Sequence, residues 1–247
     1  MSERQWMVHH VACVDSTNTA LKRMAMDGAP DGTVLIADQQ SGGHGRMGRV
    51  FHSPQGGLYM SVLLRHTAEV GTSPLWTVAA AVAAAEGCEV FCGYPIGIKW
   101  VNDLYANGRK VCGILAEAVT DPANGEMCTV VGFGVNLISP AGGFPADIVA
   151  VAGALFENIA ADTRDRLAAE ILARFAAHTA DLQVRDFLAG YRARMILTGK
   201  PVTFWQNGVQ HEAVVEGVDD NGGLLVYEEN VHRVLTAGEV TMHADKL

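Results

Sequence analysis

Short apolar runs bounded by turn residues recur along the first half of the chain. Runs of this kind, rich in β-branched residues, predict strands, and they occupy residues 8–14, 33–37, 58–64, 96–101, 110–119 and 129–135. Asn107-Gly108 and the segment 122–125, which contains proline and glycine, have the composition of turns between the last three runs. These three strands are therefore expected to follow one another through turns.

Helical patterns separate and follow these strands. A cluster of helix-capping residues at 15–18 precedes apolar positions at helical spacing, and Gly28 and Pro30 end this first helix. Residues 74–92 are dominated by alanine, with almost no glycine, which is typical of a buried helix. Residues 165–182 carry apolar side chains on one helical face, and a shorter helix is expected up to about Met195.

The pattern changes after Gly199. Short alternating strands are predicted at residues 202–205, 212–218, 224–227 and 232–235, with Asn-Gly turns between some of them. This texture is typical of a small β-barrel of about 50 residues. We therefore expect two domains, at residues 1–198 and 199–247, with a boundary near Thr198.

Composition narrows the functional classes. Of the 247 residues, 49% are hydrophobic and 18% are charged, which is typical of a globular protein with a substantial core. The net charge of −9 argues against broad, nonspecific attraction to nucleic acid or to an anionic membrane surface. The five cysteines are scattered, so we expect reduced thiols in a cytoplasmic protein and no metal held by cysteine.

Targeting and membrane segments are not expected. The N-terminus lacks the charged-then-apolar layout of a signal peptide. Glu86 interrupts the alanine-rich run of residues 75–85 before it reaches the roughly 20 residues that a bilayer span requires.

The segment from Gln39 to Arg49 has the most unusual chemistry. Four glycines alternate with two arginines and a histidine, so backbone N–H groups and cationic side chains can converge on one anion. Gly43, Gly45 and Gly48 also match the dinucleotide pattern G-x-G-x-x-G, but the loop leads into a strand rather than a helix, which argues against a Rossmann fold. The segment predicts a phosphate-binding loop, with an ordinary surface loop as the alternative.

A second polar cluster lies at residues 99–103. Asn102 and Asp103 end a predicted strand, and Lys110 opens the next one, so Asp103 and Lys110 can meet across the turn. The pair can be a surface ion pair worth at most about 1 kcal/mol. It can also belong to a site that holds Mg²⁺, a nucleotide and a substrate carboxylate. Spacing alone leaves both interpretations open.

Five motifs, in this order, resemble those of the biotin protein ligases, also called biotin–[acetyl-CoA-carboxylase] ligases. The family's S-T-N corresponds to residues 16–18. Its loop G-R-G-R-x-G-R, with the segment aromatic-x-S-P-x-G-G-L-Y-x-S that follows, corresponds to residues 43–49 and 51–61. K-W-P-N-D-L, R-K-x-x-G-I-L and G-x-G-x-N correspond to residues 99–104, 109–115 and 132–136. The C-terminal strands match the SH3-like domain of the family.

The resemblance implies a fold and an activity. The fold is α+β of the class II synthetase-like biotin/lipoate ligase type: a mixed or antiparallel sheet flanked by helices, with a small C-terminal SH3-like β-barrel. The activity is ATP-dependent conversion of biotin to biotinyl-5′-AMP and transfer of biotin to one lysine of a biotin carboxyl carrier protein. The carrier belongs to acetyl-CoA carboxylase or a related carboxylase. ATP and Mg²⁺ are then co-substrate and activator, with no tightly bound prosthetic group.

The resemblance also assigns residues to the two ligands. Those implied for biotin are Ser16, Thr17, Asn18, Gln40, Gly43, His44, Gly45, Arg46, Lys110 and Gly113. Those implied for the nucleotide are Arg46, Arg49, Phe51, Asn102, Asp103 and Asn136, with Asp103 also the candidate Mg²⁺ ligand. Residues 16–18 can equally serve as a helix cap, and Phe51 can pack against adenine or simply within its loop.

Three of these residues are expected to carry the catalysis. Because the attack of one anion on another is resisted by charge repulsion, Lys110 is predicted to bridge the biotin carboxylate and the α-phosphate, and Arg46 to close over the acyl-adenylate. Asp103 is the candidate to orient or deprotonate the acceptor lysine, whose unperturbed pKa is about 10.4.

The chain departs from the family pattern at two positions. His44 stands where the first loop arginine is expected, so a permanent charge becomes titratable. Val101 replaces the proline of K-W-P-N-D, a change expected to affect only backbone stiffness.

The remaining expectations concern binding partners of the protein and alternatives to the biotin ligase function. Some family members bind DNA through an N-terminal winged helix-turn-helix, but the first catalytic strand is predicted near Val8, so operator binding is not expected. A homodimer paired through an exposed sheet edge is a further expectation from the resemblance. The alternatives are a lipoate–protein ligase of the same superfamily and a non-catalytic biotin- or nucleotide-binding protein.

Overall fold

The structure is a computed structural model that describes residues 4–66, 74–120, 125–238 and 240–242. Its helices and strands, numbered in chain order, are β1 (Met7–Val14), α1 (Thr17–Met26), β2 (Thr33–Gln40), β3 (Gly57–His66), α2 (Leu75–Cys92), β4 (Gly97–Lys99), β5 (Asp103–Ala106), β6 (Arg109–Thr120), β7 (Met127–Asn136), α3 (Thr163–Thr179), α4 (Phe187–Arg194), β8 (Pro201–Gln206), β9 (Val209–Val218), β10 (Leu224–Glu228), β11 (Val231–Leu235) and β12 (Val240–Met242). The turn predicted at 122–125 lies, except for its last residue, outside the described residues.

A seven-stranded mixed sheet forms the centre of the molecule. Its strand order is β1-β2-β3-β7-β6-β5-β4, and β1 runs parallel to β2 while the other neighbours are antiparallel. Leu35 and Leu63 face Leu21 of α1, whereas Val34 and Val62 belong to the core that contains α2. Helices therefore cover both faces, which explains why β2 and β3 are continuous apolar runs. The predicted α+β fold is confirmed.

Helix α2 is the core helix. Its alanines are almost completely buried, and Gly87 lets α3 approach so closely that an added Cβ would lie 2.8 Å from Cγ1 of Ile171. The helix ends at Cys92, as predicted, and Glu86, which interrupts the apolar run of residues 75–85, lies within it. Within the described ranges it alone is long and apolar enough to cross a membrane by length and composition, yet 67% of it is buried inside the fold.

The segment between β4 and β6 corrects one prediction. The strand predicted at 96–101 is reduced to β4, which ends at Lys99, and Asp103 begins a strand of its own. Two hydrogen bonds between Asn102 and Ile114 stabilise the turn between these strands. Asn102 Nδ2 donates to Ile114 O at 2.9 Å, and Ile114 N donates to Asn102 O at 2.9 Å. Asn107 and Gly108, both at positive φ, then form the tight turn that joins β5 to β6.

The C-terminal part is a five-stranded antiparallel sheet of order β11-β10-β9-β8-β12. Its last strand, β12, was not predicted because three residues carry too little pattern. Val202, Phe204 and Val215 belong to the same continuous core as α2, and Trp100 Nε1 donates a hydrogen bond to Gly222 O at 2.9 Å. The C-terminal sheet is thus packed on the domain that precedes it, and the boundary at Thr198 stays a prediction.

Candidate active site

A cleft of about 370 Å³ lies where the glycine-rich loop after β2 faces β6, β7 and the start of α1. Every predicted site residue except Gly43 lines it: Ser16, Thr17, Asn18, Gln40, His44, Gly45, Arg46, Arg49, Phe51, Asn102, Asp103, Lys110, Gly113 and Asn136. Side chains separated by more than 100 positions in the sequence are therefore brought together.

The cleft follows the direction of β6 and β7. Gly113 lies opposite Gly134, and Leu115 lies opposite Gly132. Lys110, its partner Asp103 and the neighbouring Asn136 lie towards one end of the cleft, which we call the charged end. The start of α1, packed over Gly132, forms the opposite end, which we call the polar end. At about 3.3 Å per strand residue, the two ends are on the order of 15 Å apart.

Hydroxyl and amide groups form the polar end. Gln40 Oε1 accepts a hydrogen bond from Thr17 N at 2.7 Å and lies 3.1 Å from Thr17 Oγ1. The buried hydroxyl of Ser61 lies 2.7 Å from Thr17 Oγ1 and donates to Asn18 Oδ1 at 2.6 Å. Ser16 caps α1 and also lines the cleft, so the capping interpretation is confirmed and the biotin-binding role of residues 16–18 stays a prediction.

Asn18 is the most constrained group at this end. Its Nδ2 donates to Leu115 O at 3.1 Å and to Glu117 Oε2 at 2.8 Å, which uses both amide hydrogens. Its carboxamide rests on bare backbone, since a Cβ added to Gly132 would collide with Asn18 Oδ1. Asn18 therefore has only an acceptor, Oδ1, left for a ligand.

The floor of the cleft carries no side chains at two paired positions. An added Cβ on Gly134 would lie 2.6 Å from the Phe51 ring, and one on Gly113 would lie 3.1 Å from it. The ring of Phe51 thus rests directly on the two strands, and Lys110 Nζ lies 5.9 Å from its centroid. Phe51 thus forms an apolar wall of the cleft between its polar end and its charged end.

The glycine-rich loop folds back on itself. Phe51 N donates to Gly43 O at 2.9 Å, and Gly45 N donates to Arg49 O at 2.7 Å. Gly43 does not line the cleft because it is packed behind the wall, where an added Cβ would lie 2.6 Å from Phe51 O and would also collide with Ser53 Oγ. Gly43 therefore supports the loop, and its role in binding biotin stays a prediction.

Arg46 spans the cleft. Its Nη1 donates to Asn102 Oδ1 at 3.2 Å, and its Nη2 donates to Gly238 O at 3.0 Å. It therefore connects the loop both to the turn before β5 and to the C-terminal sheet. Arg49 lines the cleft beside it.

Lys110 and Asp103 form an ion pair at the charged end, with 2.6 Å between Nζ and Oδ1. Oδ1 of Asp103 is buried and makes no hydrogen bond of good geometry to any described residue, so this lysine is its neutralising contact. The backbone of Lys110 is clamped by Val151 O at 2.7 Å and by Gly153 N at 2.8 Å, and Asn136 Nδ2 donates to Gly153 O at 3.0 Å. A fixed backbone thus presents the Lys110 ammonium to the cleft, with the Asp103 carboxylate beside it.

Three residues that hold the walls of the cleft in place were not predicted. Ser61 and Glu117 hold the polar end, and Tyr191 holds the turn before β5 by donating from its hydroxyl to Val101 O at 3.0 Å. Glu117 Oε2 also lies 3.6 Å from His44 Nε2, so the titratable loop residue faces a carboxylate. A serine inside an apolar strand was the available signal for Ser61, whereas Glu117 occupies an ordinary alternating position.

The electrostatics of Glu117 favour its charged form. Although burial raises the pKa of Glu117, hydrogen bonds from Lys22 and Asn18 and the charges of Lys22 and His44 outweigh burial and lower it below the usual range. The carboxylate is therefore ionised at neutral pH and can accept two hydrogen bonds at once.

Metal binding was predicted at Asp103. Within the part of the chain that the structure describes, no group of three His, Cys, Asp or Glu side chains is arranged to hold a metal ion, and Asp103 is the only acid that lines the cleft. A single carboxylate suits Mg²⁺ that arrives with phosphates and keeps its waters. The donor set fits a metal carried by a nucleotide.

The cleft is elongated, with a hydrogen-bonding network at one end and cationic side chains at the other. The chain belongs to the biotin/lipoate A/B protein ligase family, whose model matches residues 10–136, and a biotin protein ligase C-terminal domain matches residues 198–242. The family predicted from the motifs is confirmed.

Individual relatives agree with this assignment. The biotin–[acetyl-CoA-carboxylase] ligase of Mycobacterium tuberculosis is 31% identical over 242 residues, covering 93% of this chain and 86% of that protein. The bifunctional ligase/repressor of Bacillus spizizenii is 36% identical over 143 residues, which are 58% of this chain but only 44% of that protein, so the match spans less than half of its length. The biotin protein ligase of Aquifex aeolicus, solved in complex with biotin and ATP, superimposes with a TM-score of 0.81 at 25% identity, covering 96% of this chain and 98% of that one.

Proposed function

We propose that this protein joins biotin to a lysine of a biotin carboxyl carrier protein, in two steps that consume ATP and release AMP and pyrophosphate. The observation that carries the proposal is the layout of the cleft, with a fixed polar network at one end and a lysine and arginines around the other. Biotin has the matching layout, with a ureido ring, an apolar chain and a carboxylate in line. The relatives named above support the assignment.

The polar end favours biotin over lipoate. The dithiolane ring of lipoate has no hydrogen-bond donor or strong acceptor, so it would leave the ligand-facing hydrogen-bonding capacity of this end, such as the remaining acceptor position of Asn18 Oδ1, unused. A site built to hydrogen-bond its substrate rejects an analogue that lacks the bonding groups, because each buried polar group left unpaired costs about 1–3 kcal/mol. The ureido ring offers two N–H donors and one C=O acceptor to the same groups.

In the first step an oxygen of the biotin carboxylate attacks the α-phosphorus of ATP, the bond to the β-phosphate breaks, and pyrophosphate leaves. Lys110 lies where its ammonium can neutralise both the carboxylate and the α-phosphate, with Arg46 and Arg49 on the loop side. Asn102 and Asn136 supply uncharged polar groups for the nucleotide. Mg²⁺ bound to ATP would contact Asp103 and neutralise phosphate charge. The apolar ring of Phe51 keeps the two substrates aligned.

In the second step the neutral ε-amine of the acceptor lysine attacks the acyl carbon, an amide bond forms and AMP leaves. Asp103 is placed beside Lys110 and can orient the incoming amine or take up its proton. We propose the carrier domain of acetyl-CoA carboxylase or a related carboxylase as the acceptor, and the cytoplasm as the compartment. A homodimer remains a prediction, for which β1 and β4 are the two edge strands of the large sheet.

The direct test is an assay of the full chain with MgATP, a biotin carboxyl carrier domain and either biotin or lipoate. Mass spectrometry should show the mass of one biotinyl group on the carrier lysine, and none with lipoate. Addition of a lipoyl group would favour the lipoate ligase. Binding of biotin with no transfer to the carrier would leave only the non-catalytic binding protein.

Replacing Arg46 by glycine should let the acyl-adenylate escape. Removal of a guanidinium that bonds both Asn102 and Gly238 O opens the cleft, and loss of charge-assisted contacts should speed release by about 10- to 100-fold. Biotinyl-5′-AMP in the ultrafiltrate, and biotin on bystander lysines, measure the release. Arg4→Gly, which removes a surface partner of Asp31 outside the cleft, is the control. Retention of the intermediate as in the wild type would refute the closing role.

A further inference from the structure

The carboxylate of Glu117 connects helix α1 to strand β6 behind the polar end. Its Oε1 accepts from Lys22 Nζ at 2.8 Å, and its Oε2 accepts from Asn18 Nδ2 at 2.8 Å. Lys22 and Asn18 lie one helical turn apart, so they present two donors to one carboxylate. His44 approaches Oε2 from the glycine-rich loop at 3.6 Å.

We propose that Glu117 is a positioning residue that sets the specificity of the polar end, by holding the Asn18 amide so that only its oxygen is offered to the ligand. This inference rests on the proposed function, because the group that the oxygen would accept from is a ureido N–H of biotin. Leu115 O takes the second amide hydrogen, and Ser61 donates to one side of Oδ1, which leaves one acceptor position of Asn18 for substrate.

The proposal depends on the number of acceptors at position 117. A carboxylate presents two acceptor oxygens, and the structure uses one for Lys22 and one for Asn18. A glutamine has only one oxygen. Because the ammonium of Lys22 is a charged donor, it attracts that oxygen more strongly than the neutral amide of Asn18 does. The NH₂ of the substituted side chain would then face the NH₂ of Asn18. We expect the Asn18 amide to turn over, so that Oδ1 accepts from the new NH₂ and the hydrogen bond to Leu115 O is given up.

The reversed amide would present a donor where biotin also has a donor. Glu117→Gln should therefore weaken biotin binding by at least about tenfold, while the KM for ATP and the kcat at saturating biotin change little. The second change Lys22→Met frees the glutamine oxygen to accept from Asn18. Glu117→Gln/Lys22→Met should then bind biotin within about threefold of Lys22→Met alone. Simple structural damage would instead make the double variant the weaker one.

The decisive probes are biotin and its two cyclic carbamate analogues, in which one or the other ureido N–H is replaced by an ether oxygen. Calorimetric titration of the full chain should show that the wild type binds one carbamate at least about tenfold more weakly than biotin, because that oxygen faces Asn18 Oδ1. Glu117→Gln should bind the same carbamate at least as well as biotin. Glu126→Gln, which alters the Arg65–Glu126 ion pair at the far end of β7, should leave both affinities unchanged.

The possible failures are distinguishable. A wild type that binds no biotin would overturn the proposed function and this inference together. A wild type that binds biotin but discriminates against neither carbamate would overturn this inference alone, and that measurement requires no variant. Equal biotin affinity in Glu117→Gln and the wild type, or no recovery in the double variant, would also overturn it while the ligase function stands.

Discussion

Replacement of Lys110 by alanine is expected to lower the rate of adenylate formation by about 100- to 1,000-fold, the loss typical of removing one preorganised group that stabilises transition-state charge. The backbone of Lys110 is clamped on both sides by the segment at residues 151–153, which fixes the point from which its ammonium reaches into the cleft. Removal of the lysine also leaves the Asp103 carboxylate without its neutralising partner, so that it repels the two anionic substrates. The rate and the affinity for biotin should both fall, since the lysine contacts the carboxylate before and during reaction.

Single-turnover formation of biotinyl-5′-AMP, measured by pyrophosphate release, tests this expectation. Lys200→Ala, at the start of the C-terminal sheet, is the matched control for loss of one lysine. A melting temperature close to that of the wild type would show that the variant is folded. A rate within about threefold of the wild type in a folded Lys110→Ala protein would exclude the bridging role.

Gly43→Ala is expected to cause the second large loss, although Gly43 does not itself line the cleft. The new Cβ would lie 2.6 Å from Phe51 O and 2.9 Å from Gln40 Nε2, and it would collide with Ser53 Oγ. Backbone and a hydrogen-bonded side chain must therefore shift, and such overpacking costs about 1–3 kcal/mol. Displacement of Phe51 and Gln40 disturbs both halves of the cleft, so the catalytic efficiency should fall by about 10- to 100-fold for biotin and for ATP alike.

The neighbouring residue supplies the control. In Gly42→Ala the Cβ would lie 3.4 Å from Asp15 O, an ordinary contact, so steady-state kinetics should stay close to the wild type. Equal kinetics in both variants would show that the loop tolerates displacement of Phe51. A larger loss in Gly42→Ala than in Gly43→Ala would contradict the packing argument.

Much of the architecture follows from periodicity. The strands β2, β3, β6 and β7 and the helices α2 and α3 are long and strongly patterned, and their predicted positions agree with the structure to within a few residues. The short strands β5 and β12 were missed because three or four residues hold too little pattern to separate them from turns. Asp103 was consequently placed at the end of a strand, although it begins one.

The candidate site shows a different limit. The residues of the five motifs that were assigned to ligands line one cleft, with the exception of Gly43. Glu117 lies 99 positions from Asn18, and its position in an alternating strand gives no sign that the two meet. Gly43 shows the converse: the motif identifies a glycine, but only the packing of Phe51 and Ser53 explains why a glycine is needed there.

The contact of the C-terminal sheet with α2 has a thermodynamic consequence. Gly222 packs against the start of this helix, where an added Cβ would lie 3.0 Å from Cγ2 of Val78, and its carbonyl holds the indole of Trp100. Because Phe204 and Val215 share one core with α2, neither part of the chain can lose its structure while the other keeps its full buried surface. The two regions matched by separate family models are therefore expected to melt as one cooperative unit.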